Sequence, residues 1–194
     1  MRDLSDTARD QVPYATSLAI NATLDDIEKN SAKHMRKAMD RPTPFTLRAF
    51  AKRKSSKRNL AGVVFAKDAQ AAYLQYLESG GTRGPKKRAI PIARSLRKNK
   101  FGNMPKGAVG RALTSPNVFS GTPKGGGEPG IYRRLGATEK KKAGRRLDRM
   151  VDYVRAATYQ PRFGWKRAAR KTADAQFPVH FWRAMRRALD TARK

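Results

Sequence analysis

Between Asp40 and Glu128 the chain carries two acidic residues, Asp68 and Glu78, while Lys and Arg recur throughout that span. Over 194 residues, 44 Lys and Arg stand against 15 Asp and Glu, a formal net charge of +29. Self-repulsion on that scale works against a compact monomer, and it is relieved when a polyanion or an acidic protein surface neutralises it. The length suits one ordinary domain. With an apolar share of 39%, 15 Gly and 11 Pro, a modest core with long basic loops is expected. A membrane surface suits the same charge less well, since no run of about 18 apolar residues occurs and the most basic stretches lack an amphipathic helical pattern. There is no Cys, which excludes disulfides, thiol catalysis and thiolate metal sites. The start, Met1-Arg2-Asp3-Leu4, has no apolar signal-like region. Both features fit a protein made in a reducing cytoplasm.

Residues 1–40 are nearly balanced in charge and predict a helix that packs on protein. Residues 14–39 contain no Gly or Pro, and Ala15, Ala19, Leu24, Ile27, Met35 and Ala38 recur at helical spacing,. Pro13 fits the first turn if Asp10 caps the helix, or a kink if the helix begins near Ser5. Arg41-Pro42-Thr43-Pro44 ends it,. Residues 45–53 and 59–67 are rich in Phe, Leu and Val and flank Lys54-Ser55-Ser56-Lys57-Arg58, the pattern of a β-hairpin with a basic tip,. Asp68 is placed to cap a short helix that ends at Gly80 or Gly81. A loop over 83–88 leads to an edge strand over 89–93 despite Pro91. Residues 94–130 read as Gly-, Pro- and Lys-rich loop, with 121–127 a loop tip. Residues 139–146 read as a solvent-facing turn, and 147–157 as either strand or helix. Pro178 is expected to divide the C-terminal helical stretch into 165–176 and 179–192, with Trp182, Met185 and Leu189 on one face of the latter. The class predicted is α+β: a long N-terminal helix, a small antiparallel sheet with a β-hairpin, a C-terminal helix and long basic loops. One domain is expected over residues 1–194, with a loop-rich insertion at about 94–146.

The chemistry for catalysis is thin, and no enzyme, cofactor or metal site is expected. His34 and His180 are the two histidines; neither has an evident partner carboxylate or nucleophile, so both read as packed or surface residues. Asp25, Asp26 and Glu28 could hold a cation in principle, but on a helix they point in different directions and suit offsetting nearby lysines better. No GxGxxG before a helix and no GxxxxGK[ST] occurs, and zinc-finger, RRM and KH signatures are missing. What remains is basic clusters. Lys54, Lys57 and Arg58 at the hairpin tip and Lys86, Lys87 and Arg88 in the next loop are the candidate contacts to double-stranded DNA phosphates, without base readout. Further clusters are Arg94, Arg97, Lys98 and Lys100, and then Lys140, Lys141, Lys142, Arg145 and Arg146. Leu24, Ile27, Tyr73, Tyr76, Trp182, Met185 and Leu189 are the candidate residues for contacts with other subunits or proteins. A sequence-independent nucleic-acid-binding protein of ribosomal or DNA-packaging type fits the same charge.

Three segments carry a family resemblance. Val12-Pro13-Tyr14-Ala15-Thr16-Ser17-Leu18-Ala19-Ile20-Asn21 resembles the opening helix of the minor tail protein Z-like, or tail-completion, proteins of long-tailed bacteriophages. Tyr73-Leu74-Gln75-Tyr76-Leu77-Glu78-Ser79-Gly80-Gly81-Thr82 is similar to the Tyr-x-x-Tyr-x-Glu-x-Gly-Thr pattern of the wider neck and tail-completion group, with one extra Gly. Phe177-Pro178-Val179-His180-Phe181 before a basic helix looks like the end of the Z-like proteins. The resemblance covers about a fifth of the chain. It implies a structural virion protein of the head-tail junction, assembled in the host cytoplasm. It also implies a ring, six-fold by preference, that meets tail terminator, tail tube or connector proteins and through which DNA passes. A closed ring uses head-to-tail contacts between unlike surfaces.

Overall fold

A computed structural model describes residues 2–86, 88–139 and 146–192. The class is α+β, and the chain forms two compact units: Met1–Ser79 with Pro161–Lys194, and Gly80–Gln160. The second unit opens earlier and closes later than the expected insertion at 94–146, and each unit is described by itself.

The first unit is built on α1 (Arg2–Ala38), with Pro13 inside it. The helix therefore begins before Ser5, the second of the two arrangements allowed by the sequence. Its end is set by Arg41, which takes the left-handed conformation at φ 46° immediately before Pro42,. The next residues correct an expectation: 45–47 are not strand but part of a one-turn helix, α2 (Pro44–Leu47). Thr43 caps that turn, its Oγ1 accepting from Thr46 N at 3.1 Å, and Pro44 sits at the first helical position. This cap-and-proline signature favours a helical start over a strand. Strand β1 (Phe50–Arg53) then pairs antiparallel with β2 (Val63–Ala66), Phe50 opposite Ala66 and Arg53 opposite Val63. The predicted hairpin is thus present, with shorter arms. Helix α3 (Asp68–Ser79) follows and ends at Gly80, φ 73°,.

Helix α5 (Trp165–Ala192) runs unbroken through Pro178, which corrects the expected division into two helices. Pro178 is exposed, and the missing N–H costs one bond to a carbonyl a turn earlier. Packing along α1 on both sides of the proline offsets that loss. The two helices are antiparallel: Trp165 Nε1 donates to Ser31 Oγ at 2.7 Å, Asn30 Nδ2 to Thr172 Oγ1 at 3.4 Å, and His180 Nε2 meets Asp26 Oδ2 at 2.7 Å. Small residues, among them Ala15, Ala19 and Ala188, are buried along the helices and allow a close approach.

The hairpin occupies the other side of α1, at positions 17, 21, 24 and 28, which share a helical face. Gly62 shows how tight this contact is, because a Cβ there would lie 2.7 Å from both Ile20 Cγ2 and Leu24 Cδ1. Hairpin, α1 and α5 thus form three layers. At one end, Met35, Ala49, Phe50, Leu74 and Phe163 form the core, and Trp165 stacks on Phe50 with ring centroids 4.3 Å apart. Glu78 links α3 to this end, since its carboxylate accepts from Trp165 N at 2.8 Å and Lys166 N at 3.0 Å and so caps α5,.

In the second unit, β4 (Ile90–Ala93), β5 (Val118–Gly121), β6 (Gly130–Arg134) and β7 (Leu147–Val154) form an antiparallel sheet in the order β4-β7-β6-β5. As predicted, β4 lies at an edge, where Pro91 is tolerated. The stretch 147–157, open between strand and helix, contains β7. The stretch expected as loop over 94–130 is instead interrupted by α4 (Ala108–Leu113) and β5. Short β3 (Gly81–Arg83) pairs with β8 (Ala157–Tyr159). Ile131 and Val151 are fully buried. Gly130 is required where β6 passes β7, since a Cβ would collide with the Val151 carbonyl oxygen.

Candidate nucleic-acid interface

The hairpin tip is a basic turn held rigidly at its base. Ser56 and Asn59 form a β-bridge around Lys57 and Arg58, with Ser56 N donating to Asn59 O at 2.8 Å and Asn59 N to Ser56 O at 3.1 Å. One residue earlier, Ser55 is buried and tied to α1. Its N–H donates to Asn21 Oδ1 at 2.9 Å and its carbonyl accepts from Asn21 Nδ2 at 3.1 Å, while its hydroxyl lies 3.2 Å from that of Ser17. Lys54, Lys57 and Arg58 are all exposed. Sequence reasoning missed Asn21 and Ser55, which position this tip: nothing local in either residue announces a contact across 34 positions.

Lys52, on β1 close to the tip, has a different role. Its ammonium bridges Asp25 and Glu28 on α1, the Glu28 contact at 2.7 Å. Those hydrogen bonds, Asp25 first and Glu28 next, hold Lys52 above the usual lysine range. The acidic residues of α1 therefore neutralise a lysine, but one on the neighbouring strand rather than on their own helix. Asp26 is taken by His180, a partner carboxylate that the sequence did not reveal. The His34 ring nitrogen Nε2 pairs with the Phe163 carbonyl. Among the described residues, no group of three His, Cys, Asp or Glu converges as a metal site would require.

In the second unit, Lys86 and Arg88 are exposed on the 84–89 loop; Lys87 lies outside the described residues. Arg94 is exposed but engaged within the unit, pairing with Asp152, which is buried on β7 and also meets Arg149. Arg97 and Lys98 are exposed, and Lys100 sits 5.2 Å above the Phe101 ring. Lys140, Lys141, Lys142 and Arg145 fall outside the described residues, as does most of the expected 139–146 turn; Arg146 is exposed.

The candidate interface residues divide clearly. Leu24 and Ile27, 6% and 8% exposed, are core of the first unit and closed to a partner. Tyr73 is half-buried with its hydroxyl donating to Thr46 Oγ1 at 3.0 Å, and Tyr76 is half-buried. By contrast, Trp182 is 67% and Leu189 43% exposed, with Met185 half-buried beside them. Val179 joins this outer stripe of α5, flanked by Arg183 and Arg186. On the opposite side of α1, the outer face of the hairpin exposes Val63 and Phe65, with Leu60 and Phe45 exposed as well.

A further basic group lies where no loop is involved. Lys33 and Lys37 on α1 and Lys171 on α5 line a cleft of about 420 Å³ floored by Ala168, Thr172 and Ala175. The near-balanced charge of residues 1–40 concealed it.

No protein-family model, no curated protein and no solved structure matches the chain. Among the described residues, no helix is long and apolar enough to cross a membrane.

Proposed function

We propose that this chain is a structural subunit of a bacteriophage head-tail junction, a tail-completion protein that acts as a ring around the DNA path and carries out no catalysis. The observation that carries this reading is the pair of unlike apolar faces on opposite sides of α1. Val63 and Phe65 face outward on the hairpin, and Val179, Trp182 and Leu189 face outward on α5. A head-to-tail ring needs two different, mutually fitting surfaces on one subunit, and large exposed apolar groups are what an assembly interface would bury. Six copies are the preferred ring, meeting tail terminator, tube or connector proteins above and below. Arg53 beside the first face and Arg183 and Arg186 beside the second delay association of isolated subunits until DNA or an acidic neighbour offsets their charge. In a virion the same excess charge would engage duplex phosphates without base preference.

The absence of Cys makes the test direct. Phe65→Cys combined with Trp182→Cys, treated with a short bis-maleimide in assembled particles, is expected to give a ladder of covalent multimers. Each single variant should give none. A double variant that remains monomeric in particles would overturn the ring contact proposed.

The cationic cleft between α1 and α5 favours a second reading, a sequence-independent nucleic-acid-binding protein of ribosomal or packaging type. That protein would leave no ladder of covalent multimers.

A further inference from the structure

We infer that the seam between α1 and α5, rather than the hairpin tip, is the principal duplex-DNA phosphate site of the first unit. The inference rests on the DNA-path reading above and names the surface that serves it. Lys33 and Lys37 are four residues apart on one helix, about 6 Å along its axis, and Lys171 faces them across the cleft. Arg167 and Arg170 extend the same basic surface along α5, with Asp174 as its acidic neighbour.

What distinguishes this group is that its charges are set on two packed helices rather than on a turn, with Asp174 as the acidic neighbour. The nearest α1 carboxylates are already engaged: Asp25 and Glu28 with Lys52, and Asp26 with His180. Glu78 is spent on the N-terminus of α5. Among the described residues, Lys33, Lys37 and Lys171 take part in no ion pair. Like charges fixed on two packed helices cannot spread apart as loop charges can, so an arriving polyanion relieves a repulsion that the fold itself maintains.

The lining also indicates which polyanion. Its floor is made of Ala168, Thr172 and Ala175, with Asn30 held to Thr172. The one ring among these lining residues is His34, and Trp, Tyr and Phe, the large anchors of protein interfaces, are absent from them, whereas the exposed tryptophan lies on the other half of α5. Small side chains beneath point charges suit compact phosphate groups repeated at regular spacing. Phosphate contacts of this kind hold a backbone in place and carry no sequence information.

The test compares the salt dependence of duplex-DNA affinity for the full chain and three variants. Replacing Lys33, Lys37 and Lys171 by Gln is expected to flatten the log-log slope by roughly 0.9 for each phosphate that is no longer neutralised, with the thermal melt not lowered because all three are exposed. The same positions changed to Arg should keep the slope. Changing Lys54, Lys57 and Arg58 to Gln should alter it less than the seam variant does. If the wild-type chain binds duplex DNA and the seam variant keeps its slope, or the tip variant flattens it more, the assignment of the seam is wrong while the DNA reading stands. If the wild-type chain shows no salt-dependent duplex binding, both the seam site and the DNA role fall.

Discussion

Replacing Leu24 by Ala probes the layer where the hairpin meets α1. Leu24 is 6% exposed, so nearly the whole side chain is withdrawn from water, and truncation should cost about 2–5 kcal/mol. For a chain of this length that corresponds to roughly 2–4 °C of melting temperature per kcal/mol. The opposite perturbation is available at the same place. Gly62→Ala introduces a Cβ about 2.7 Å from Leu24 Cδ1 and Ile20 Cγ2, an overpacking expected to cost about 1–3 kcal/mol. The double variant removes the Leu24 methyls that the new Cβ would strike and partly refills the space they leave. Its loss should therefore fall short of the sum of the two single losses by about 0.5–3 kcal/mol; Ile20 remains in place, so rescue is incomplete. Thermal and urea unfolding followed by helical circular dichroism, with Trp165 fluorescence reporting the first unit, provides the four corners of this cycle. Strictly additive losses would refute the close approach of Gly62 to α1.

Lys52→Met should destabilise by about 0.5–1 kcal/mol, since the partners are partly exposed. Because its folded pKa is raised, the stabilisation from Lys52 is complete below the unfolded lysine value of about 10.4 and is lost as pH rises through the folded value; melting across alkaline pH should show this loss in the wild type and not in the variant. Pro178→Ala restores a helical N–H at an exposed position and should raise stability by about 1–3 kcal/mol in a chemical melt; no gain would indicate that α5 does break there. Gly130→Ala forces a Cβ onto the Val151 carbonyl oxygen, and the β6–β7 pairing should lose hydrogen-exchange protection, so retention of full protection would contradict the register.

The elements that the sequence revealed are those governed by local rules. Residues 14–39 hold a helical period free of Gly and Pro, Gly80 ends α3 while Asp68, expected as its cap, is its first helical residue, and the polar run 54–58 separates two apolar arms. Local rules fail where tertiary contact overrides local preference. Pro178 reads as a break, yet packing of α5 against α1 through Ser31, Thr172 and His180 carries the helix across it. Residues 45–47 read as strand on their apolar character, but the cap formed by Thr43 and Pro44 decides for a helical turn. In the site, exposure of the basic tip follows from its turn. The seam of Lys33, Lys37 and Lys171 could not be read locally, because it exists only when two helices more than a hundred residues apart lie antiparallel. Leu24 and Trp182 both look like interface residues in the sequence, which holds no means of telling the buried one from the exposed one.

If the proposed role holds, a reconstruction of a virus particle containing this chain tests the ring most directly. The predicted result is a closed ring at the head-tail junction, with Val63 and Phe65 of each subunit against Trp182 and Leu189 of the next and basic side chains facing the DNA channel. Single, unrepeated copies of the chain, or a ring in which both apolar faces remain open to solvent, would contradict it.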